Sequence, residues 1–469
     1  MSTSIISDVM RAFPDTAVPD CENYYTNVIA LCNDIYRGDP PWAYVKKAGL
    51  YAKGERRLNM LSCAKVLCDC MAALTFSSQA DIYCASKEQQ DYVNEVLREN
   101  NFWESMPGFF SKAYALGGGA LKVFVSGGKT CIDYVDADCF IPTGSGAGGI
   151  NEGVFRSVWR KNGVNYTLLE KHSMEKGFVT ADRVLFRSNN GFSGERVSVD
   201  TLFDGLEEHS EYKSAAEPMF GYFKPAAANN LAEGSLLGLG CFANCTDTLK
   251  AIDIAFDSFS REFILGRKRI IVPSSCIRTV VDPESGNVSR YFDADDEVYQ
   301  ALKCDEEKDL KIIDNTAELR VTQHTEAINA LLNILCFQTG LSAGTLSFSG
   351  SSGVRTAAEI KSMETRTDIT MQQNRCLAAE LIEKTVRAVI RCGIMTGALR
   401  DEDIVVRISF SDKQTIDRSE IIDRNIRLVE AGLRSRLSAV MAVLDCTEEE
   451  AVKELERIRR ETGEDIRTL

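Results

Sequence analysis

The sequence predicts a helix-rich α+β fold. Apolar residues recur at three- and four-residue spacing across Gly54–Phe76, which is the pattern of one face of an α-helix. From Ala120 to about Leu202, short apolar runs alternate with glycine-containing turns, which indicates antiparallel strands. The chain has only 10 prolines in 469 residues, so long helices have few breaks. At this length, with 44% hydrophobic residues, it can bury a substantial core.

The first quarter of the chain is expected to be almost entirely helical. Residues 21–118 follow the helical pattern, with one short strand at Asp81–Cys84. The clearest helix is Gly54–Phe76, whose apolar positions include Leu58, Leu61, Ala64 and Met71. Leu121–Val125 and Cys131–Val135 then form a predicted hairpin, because a Gly-Gly turn separates them. Further strands are expected at Phe155–Trp159, Tyr166–Lys171 and Arg183–Arg187.

Two later helices are expected to bracket a small β insert. The first begins near Thr246, and its apolar stripe consists of Leu249, Ile252, Phe256, Phe259 and Phe263. Its other side is predicted to be a charged face in water, formed by Asp247, Lys250, Asp253, Asp257 and Arg261. A strand-and-turn insert follows over residues 267–313, and the second helix covers about Thr325–Thr339.

A Gly/Ser-rich stretch at 340–353 is too long for a tight turn and is expected to be a flexible, functional loop. A long helix follows from about Thr356 to Arg391, and the first half of this helix is polar nearly all round. A strand at Ile404–Phe410 comes next, and the remainder is helical. The last helix starts at a capping box that begins with Thr447.

The charge balance excludes a tight DNA binder. The chain has 54 Lys and Arg against 68 Asp and Glu, which gives a net charge of −14. Tight nucleic-acid binders place Lys and Arg against phosphates, so this surface should repel DNA. Such a surface remains compatible with DNA that moves past without being held.

The 16 cysteines are expected to be thiols of a protein made in a reducing cytoplasm. The N-terminus lacks a basic region followed by an apolar run, so no signal peptide is predicted. No segment approaches the ~20 apolar residues that span a bilayer, so no membrane association is expected.

Several motifs resemble catalytic or cofactor sites but lack the surrounding elements that such sites require. Gly340–Gly344 reads G-x-S-x-G, yet a predicted helix precedes Ser342 and all three histidines are upstream of it. Gly144–Gly149 contains G-x-G-x-x-G between strands, where no helix N-terminus can receive a pyrophosphate. The cysteines lack paired zinc-ligand spacing. We therefore predict no catalytic, cofactor or metal site; a cytosolic serine hydrolase using Ser342 remains the alternative from another class.

The order of elements and several local phrases resemble the portal proteins of tailed bacteriophages, in the siphophage branch also labelled minor capsid protein. The similarity extends from about residue 20 to 462. The phrases that carry it are Leu58–Met60, Ala72–Phe76, Ala115–Val123, Tyr134–Pro142, Thr356–Ile360, Gly432–Ser435 and Glu448–Glu461.

The resemblance implies a subunit with wing, stem, clip and crown regions that assembles into a ring, typically of twelve copies. The helical then β-rich residues 1–240 correspond to the wing, and a long wing helix occupies 356–398. The other implied regions are stem helix 1 at 241–266, the clip at 267–315, stem helix 2 at 316–340, a tunnel loop at 341–355 and a crown at 399–469.

The resemblance also implies a function in the virion, after synthesis in the host cytoplasm. The ring would occupy a capsid vertex, form the channel for packaging and ejecting double-stranded DNA, and contact the major capsid protein, the terminase large subunit and a head–tail adaptor. The implied role is structural and needs no enzyme activity or cofactor. A minor capsid or scaffold protein without a channel is the second alternative.

The residues expected to face DNA belong to the tunnel loop. Small hydroxyl side chains allow only brief contacts with a moving duplex, whereas many phosphate contacts would hold it. The alternative for each residue is an exposed linker position without DNA contact. The candidates are Ser347, Ser349, Ser351, Ser352 and Arg355.

Overall fold

The computed structural model describes residues 5–18, 22–46, 54–76, 79–146, 148–175, 178–188, 194–212, 217–266, 270–271, 278–281, 288–291, 313–314, 318–348, 357–410, 418–444 and 448–462. The chain divides into two compact units: residues 1–77 with 82–408, and residues 78–81 with 409–469.

Helices account for most of the regular structure. In the first unit the described α-helices are α1 (Ile5–Ala12), α2 (Ala30–Tyr36), α3 (Cys63–Thr75), α4 (Lys87–Glu99), α5 (Phe102–Leu116), α6 (Thr246–Leu265), α7 (Val321–Gln338) and α8 (Ala357–Met395). A π-helical turn, Tyr24–Ile29, runs directly into α2. The second unit contains α9 (Arg418–Glu430), α10 (Arg436–Leu444) and α11 (Glu448–Thr462).

The strands are mostly short and concentrated before α6. Those up to that helix are β1 (Tyr44–Lys46), β2 (Glu55–Arg57), β3 (Ala80–Cys84), β4 (Gly119–Ser126), β5 (Lys129–Asp136), β6 (Phe140–Gly146), β7 (Gly149–Lys161), β8 (Val164–Glu175), β9 (Phe178–Ser188), β10 (Glu195–Val197), β11 (His209–Tyr212) and β12 (Phe220–Phe223). The later ones are β13 (Ile270–Ile271), β14 (Arg278–Val281), β15 (Val288–Tyr291), β16 (Ile313–Asp314) and β17 (Val406–Phe410).

The largest sheet is antiparallel and has the strand order β10-β9-β8-β7-β6, with β11 also paired to β9. A second antiparallel sheet has the order β12-β4-β5. β1 pairs with β2, β13 with β16, and β14 with β15. Helix and sheet are thus both substantial, and the predicted helix-rich α+β class is confirmed.

The aromatic core lies where α5 packs on the β12-β4-β5 sheet. The Phe110 and Phe223 rings are 4.6 Å apart, and Tyr114 packs on Phe223 at 5.6 Å between centroids. A second cluster joins the two sheets, because Phe220 of β12 packs on Phe140 of β6 and Phe155 of β7, at 5.6 and 5.2 Å between centroids. These buried rings fix the helical and β-rich parts of the first 240 residues against each other.

A glycine contact joins the end of α5 to the segment that leads into α6. Gly117 has φ +85° and ends α5 in the left-handed conformation. A Cβ added there would lie 2.5 Å from the Gly238 carbonyl oxygen, and one added at Gly240 would lie 2.4 Å from the Ala115 carbonyl oxygen. Only glycine allows the two backbones to approach this closely.

The predicted strands are confirmed. β4 and β5 form the expected hairpin, and β7, β8 and β9 include the three later strands. The G-x-G-x-x-G run lies in a sheet connection, as expected: Gly146 ends β6 and Gly149 begins β7.

The helix predicted over Gly54–Phe76 is wrong in its first half. Residues 55–57 form β2, and α3 begins only at Cys63, after Ser62 adopts the left-handed conformation at φ +54°. The Asn59 and Leu61 backbone amides donate to carboxylates of α6 instead of joining a helix. The pairing of β2 with β1 was also not predicted.

Candidate functional site

α6 and α7 form an antiparallel pair. At one end, the Thr248 hydroxyl near the start of α6 contacts the Gln338 side chain at the end of α7, at 2.8 Å. At the other end, Glu262 accepts two hydrogen bonds of 3.0 Å from the guanidinium of Arg320, next to the start of α7. Hydrogen bonding by Arg320 lowers the pKa of Glu262 to about 2. The predicted pair of helices is confirmed, with both ends joined.

The apolar stripe of α6 has two different environments. Leu249 and Ile252 are buried, and α6 packs along α7. Further along, Phe256 and Phe259 pack on Phe348, at 6.2 and 5.9 Å between centroids. The part of α6 from Phe256 to Phe259 therefore packs on the segment that follows α7.

The charged face predicted for α6 is not in water at its centre. Asp253 is buried, and its carboxylate accepts hydrogen bonds from Trp42 Nε1 at 2.9 Å and the Leu61 amide at 3.2 Å. Burial raises the pKa of this carboxyl group. The expectation of a solvated face is wrong at this position, because the chain around β1 and β2 covers the helix.

Asp257, one turn further along α6, is buried in the same way. It forms a bidentate ion pair with Arg56 of β2, with N–O distances of 2.7 and 2.6 Å. It also accepts a hydrogen bond of 3.1 Å from the Asn59 amide. Hydrogen bonding from Arg56 holds the pKa of Asp257 below its usual value. The two aspartates therefore fasten α6 to the N-terminal part of the chain.

The start of the Gly/Ser-rich stretch is fastened to α8. The Ser342 amide donates to Thr367 Oγ1 at 2.8 Å, and the Thr367 amide donates to Ser342 Oγ at 3.2 Å. Both residues are buried. The Thr370 hydroxyl donates to the Gly340 carbonyl at 2.7 Å. The expected flexible loop is wrong for this first part, because its polar groups have partners on a helix.

The same stretch is also fastened to α7 through two amide side chains. Asn333 Oδ1 accepts a hydrogen bond from the Gly344 amide at 2.9 Å, and Asn329 Oδ1 accepts one from the Phe348 amide at 2.8 Å. The two asparagines are four residues apart and so lie on one face of α7. Residues 340–348 therefore form an anchored segment between α7 and the remainder of the stretch.

Of the five predicted DNA-facing residues, only Ser347 lies within the described residues. It is exposed and belongs to the anchored segment, between the asparagine-held residues Gly344 and Phe348. Ser349, Ser351, Ser352 and Arg355 lie outside the described residues. Asn329, Asn333 and Thr367 were not predicted from the sequence. The i,i+4 pair of amides directly before a Gly/Ser-rich stretch is the signal that could have indicated the first two.

Ser342 has a structural role, because it is hydrogen-bonded to Thr367 of α8. Its hydroxyl accepts a backbone hydrogen bond from Thr367, and each histidine pairs with an acidic residue elsewhere. His172 contacts Glu170 at 2.6 Å, His209 contacts Asp182 at 2.7 Å, and His324 lies 3.7 Å from Glu262. Within the described ranges the chain assembles no Ser–His pair at Ser342.

The described residues show neither a cluster of metal ligands nor a membrane-spanning helix. They contain no group of three or more His, Cys, Asp or Glu side chains placed to hold a metal ion. No helix among them is both long and apolar enough to span a bilayer.

Comparison with known proteins identifies the family. The family model described as phage portal protein, SPP1 Gp6-like, matches residues 21–468. The chain belongs to this family, and the resemblance noted from the sequence is confirmed. No curated protein matches the chain.

Two of the solved structures with similarity to this chain come from gene transfer agent particles. One is titled as the virion of a native particle and another as the neck of such a particle computed with C12 symmetry. For each, the TM-score is 0.41 and the identity 10%, covering 81% of this chain and 88% of the other. The family assignment rests on the family model. It makes the chain a structural protein of the virion.

Proposed function

We propose that twelve copies of this chain form a ring at a capsid vertex and that double-stranded DNA is packaged and ejected through its centre. In this proposal α6 and α7 are the stem helices, residues 267–315 are the clip and 341–355 the tunnel loop. Residues 1–240 and 356–398 form the wing, and 399–469 the crown. Membership of the portal family supports the proposal.

The observation that carries the channel role is the anchored segment. Asn329, Asn333 and Thr367 hold residues 340–348 against two helices, and the Ser347 side chain stays exposed. A loop that contacts moving DNA needs a fixed base, because an unsupported chain would be displaced by the duplex. A hydroxyl on that base can exchange hydrogen bonds with water and phosphate without the lasting attraction of a cation.

The net charge of −14 supports passage without retention. Repeated twelve times, it gives a strongly anionic assembly that has no general attraction for a polyanion. Ser349, Ser351, Ser352 and Arg355 remain candidate DNA-facing residues in this proposal. Arg355 is the one cation among the five candidates and would supply a single contact per subunit.

Exposed apolar side chains on the helix pair support assembly of several copies. Phe337 of α7 is 68% exposed and Ile264 of α6 is 57% exposed, and Ile254 and Ile334 are also exposed. They are spread along the pair, because Phe337 lies at the Thr248–Gln338 end and Ile264 at the Glu262–Arg320 end. Large exposed apolar side chains can mark protein contacts, and we assign these residues to contact between neighbouring subunits of the ring.

The further partners follow from the same proposal. The energy for packaging would come from the terminase large subunit, which docks on the clip together with, or in exchange for, a head–tail adaptor. The wing would contact the major capsid protein.

The test is deletion of Ser349–Gly353, which leaves the anchored segment intact. The expected result is normal capsid formation with impaired packaging or retention of DNA, measured as the ratio of DNA-filled to empty particles. A matched control is substitution of Gln323, an exposed residue near the start of α7, by Ala. Filled particles at the control's level after the deletion would refute the channel role of this loop.

A further inference from the structure

Two cysteines that are 173 residues apart in the sequence lie side by side in the fold. The sulfur of Cys68, in α3, is 3.7 Å from the sulfur of Cys241, just before α6. Both are free thiols. A disulfide needs an S–S distance of about 2.05 Å, so the sulfurs are less than about 2 Å from bonding distance.

The backbone around both cysteines is fixed by the same helix. The Cys241 amide donates to the Tyr114 carbonyl of α5 at 2.8 Å. Cys241 directly follows Gly240, whose backbone lies close to the Ala115 carbonyl of the same helix. α3, which carries Cys68, also packs on α5. The proximity of the two sulfurs is therefore set by buried packing and not by a chance surface contact.

The two thiols differ in access. Cys68 is fully buried, whereas Cys241 is partly exposed. A small reagent in solution can therefore reach Cys241 first, and Cys68 is placed to react only with what is bound there.

We propose that Cys68 and Cys241 form an intrachain disulfide when the protein meets a low-molecular-weight disulfide oxidant such as oxidised glutathione. The Cys241 thiolate attacks one sulfur of the oxidant, which forms a mixed disulfide and releases one glutathione thiolate. The Cys68 thiolate then attacks the Cys241 sulfur and releases the second. Both cysteine protons end on the two released thiols. Two cysteines are oxidised, and one glutathione disulfide is reduced.

Neighbouring thiols are the competitors. Burial raises the pKa of Cys32 and Cys245 to about 12, so both are protonated at neutral pH. Burial also raises the pKa of Cys68 well above its usual value, which makes the second step slow. The sulfur contact between Cys68 and Cys241 is what favours this pair, because exchange requires the attacking sulfur beside the mixed disulfide.

The bond would link α3 covalently to the segment that leads into α6. Because it closes a loop of about 173 residues, it restricts the unfolded chain strongly and should raise the midpoint of thermal unfolding. A chain made as free thiols in the cytoplasm would thus gain stability on exposure to an oxidising medium.

The experiment treats the purified full-length chain with oxidised glutathione at mildly alkaline pH. The expected results are the loss of the Cys68 and Cys241 thiols, a Cys68–Cys241 linked peptide in the non-reduced digest, and a higher unfolding midpoint that dithiothreitol reverses. Cys241→Ser should abolish all three. Cys376→Ser, at an exposed cysteine of α8, is the matched control and should leave all three unchanged.

Two results would overturn the proposal. One is that Cys68 remains a thiol while Cys241 is glutathionylated to completion. The other is that Cys241 is recovered linked to Cys32 or Cys245 in place of Cys68. Because the readouts are thiol counts and linked peptides of the isolated chain, they do not depend on ring assembly or DNA passage.

Discussion

Arg56 of β2 and Asp257 of α6 form a bidentate ion pair, with N–O distances of 2.7 and 2.6 Å, across 201 residues of sequence. The Asp257 side chain is only 8% exposed, whereas that of Arg56 is 29% exposed. Without the arginine, this carboxylate would keep a single backbone donor, Asn59. The pair is therefore the main electrostatic link between the N-terminal region and the helix that we assign to the stem.

Replacement of Arg56 by Ala is expected to lower the free energy of unfolding by about 1–3 kcal/mol, the range for hydrogen bonds to a buried charged group. Arg57→Ala is the matched control: Arg57 is the next residue of β2, and among the described residues its side chain donates a hydrogen bond to the Gly38 carbonyl. The control substitution should lower the free energy of unfolding by less than about 0.5 kcal/mol, as substitutions at exposed positions usually do. Urea unfolding measures both, and equal losses would contradict the assigned role of the ion pair.

Asp257 should stabilise the fold less at acid pH. Its pKa is lowered in the folded state, chiefly by hydrogen bonding from Arg56. The stabilisation is complete above the unfolded pKa of about 3.9 and is lost as pH falls through the lower folded value. The stability difference between wild type and Asp257→Asn should therefore shrink on acidification from pH 7. Urea unfolding over a pH series measures the difference, and a difference that grows would contradict the assigned pKa direction.

Asp253 should show the opposite pH dependence. Burial raises its pKa in the folded state, so the folded protein pays a cost for ionising it at neutral pH. That cost is relieved as pH falls through the raised folded pKa towards about 3.9. The stability of wild type relative to Asp253→Asn should therefore rise on acidification. The same series of urea unfolding measurements tests this. If the stability differences between wild type and the two variants, Asp253→Asn and Asp257→Asn, change with pH in the same direction, the two carboxyl groups do not have different environments.

Loss of the amide side chain of Asn333 should release the anchored segment. Asn333→Ala removes the acceptor for the Gly344 amide. One hydrogen bond contributes about 0.5–1.5 kcal/mol, so local opening should increase about two- to tenfold. Limited proteolysis with mapping of cuts at residues 340–348 measures this. Gln323→Ala, on the same helix, should leave the cleavage rate unchanged, and an unchanged rate in Asn333→Ala would show that the asparagine does not hold the segment.

Substitution of Phe337 should affect ring assembly much more than the folding of the single chain. It is 68% exposed, and its described partner is Arg366, whose guanidinium lies 4.7 Å from the ring centre. Phe337→Ser should cost the single chain about 1 kcal/mol or less, because only this cation–π contact is lost. Ring formation, measured by mass photometry, should fall sharply. Val66→Ser, at an exposed apolar residue of α3, should assemble normally. Normal assembly of Phe337→Ser would show that Phe337 does not belong to the contact between subunits.

Much of the fold follows from periodicity along the sequence. The spacing of Leu249 and Ile252 predicts α6, and glycine turns predict the β4–β5 hairpin, because both signals depend on neighbouring residues alone. Residues 54–62 differ because their conformation is decided by Asp253 and Asp257, about 200 positions later. Local spacing carries no information about such distant hydrogen-bond acceptors.

The candidate site could be predicted only in outline. Composition indicates a Gly/Ser-rich segment between two helices, and this is where the site lies. The anchoring of that segment by Thr367 and Asn333 depends on how α7 and α8 pack, which no local pattern encodes. The sequence therefore favoured a flexible loop. In the structure, the described part of this stretch, residues 340–348, is hydrogen-bonded to α8 through Thr367 and to α7 through Asn333.

Direct imaging of the purified full-length chain in axial view tests the central claim. Electron microscopy at physiological salt should show closed rings of twelve subunits around an open centre, and these rings should not retain linear duplex DNA in a filter-binding assay. A monodisperse single chain under all assembly conditions, or rings that bind the duplex tightly at that salt, would contradict the account.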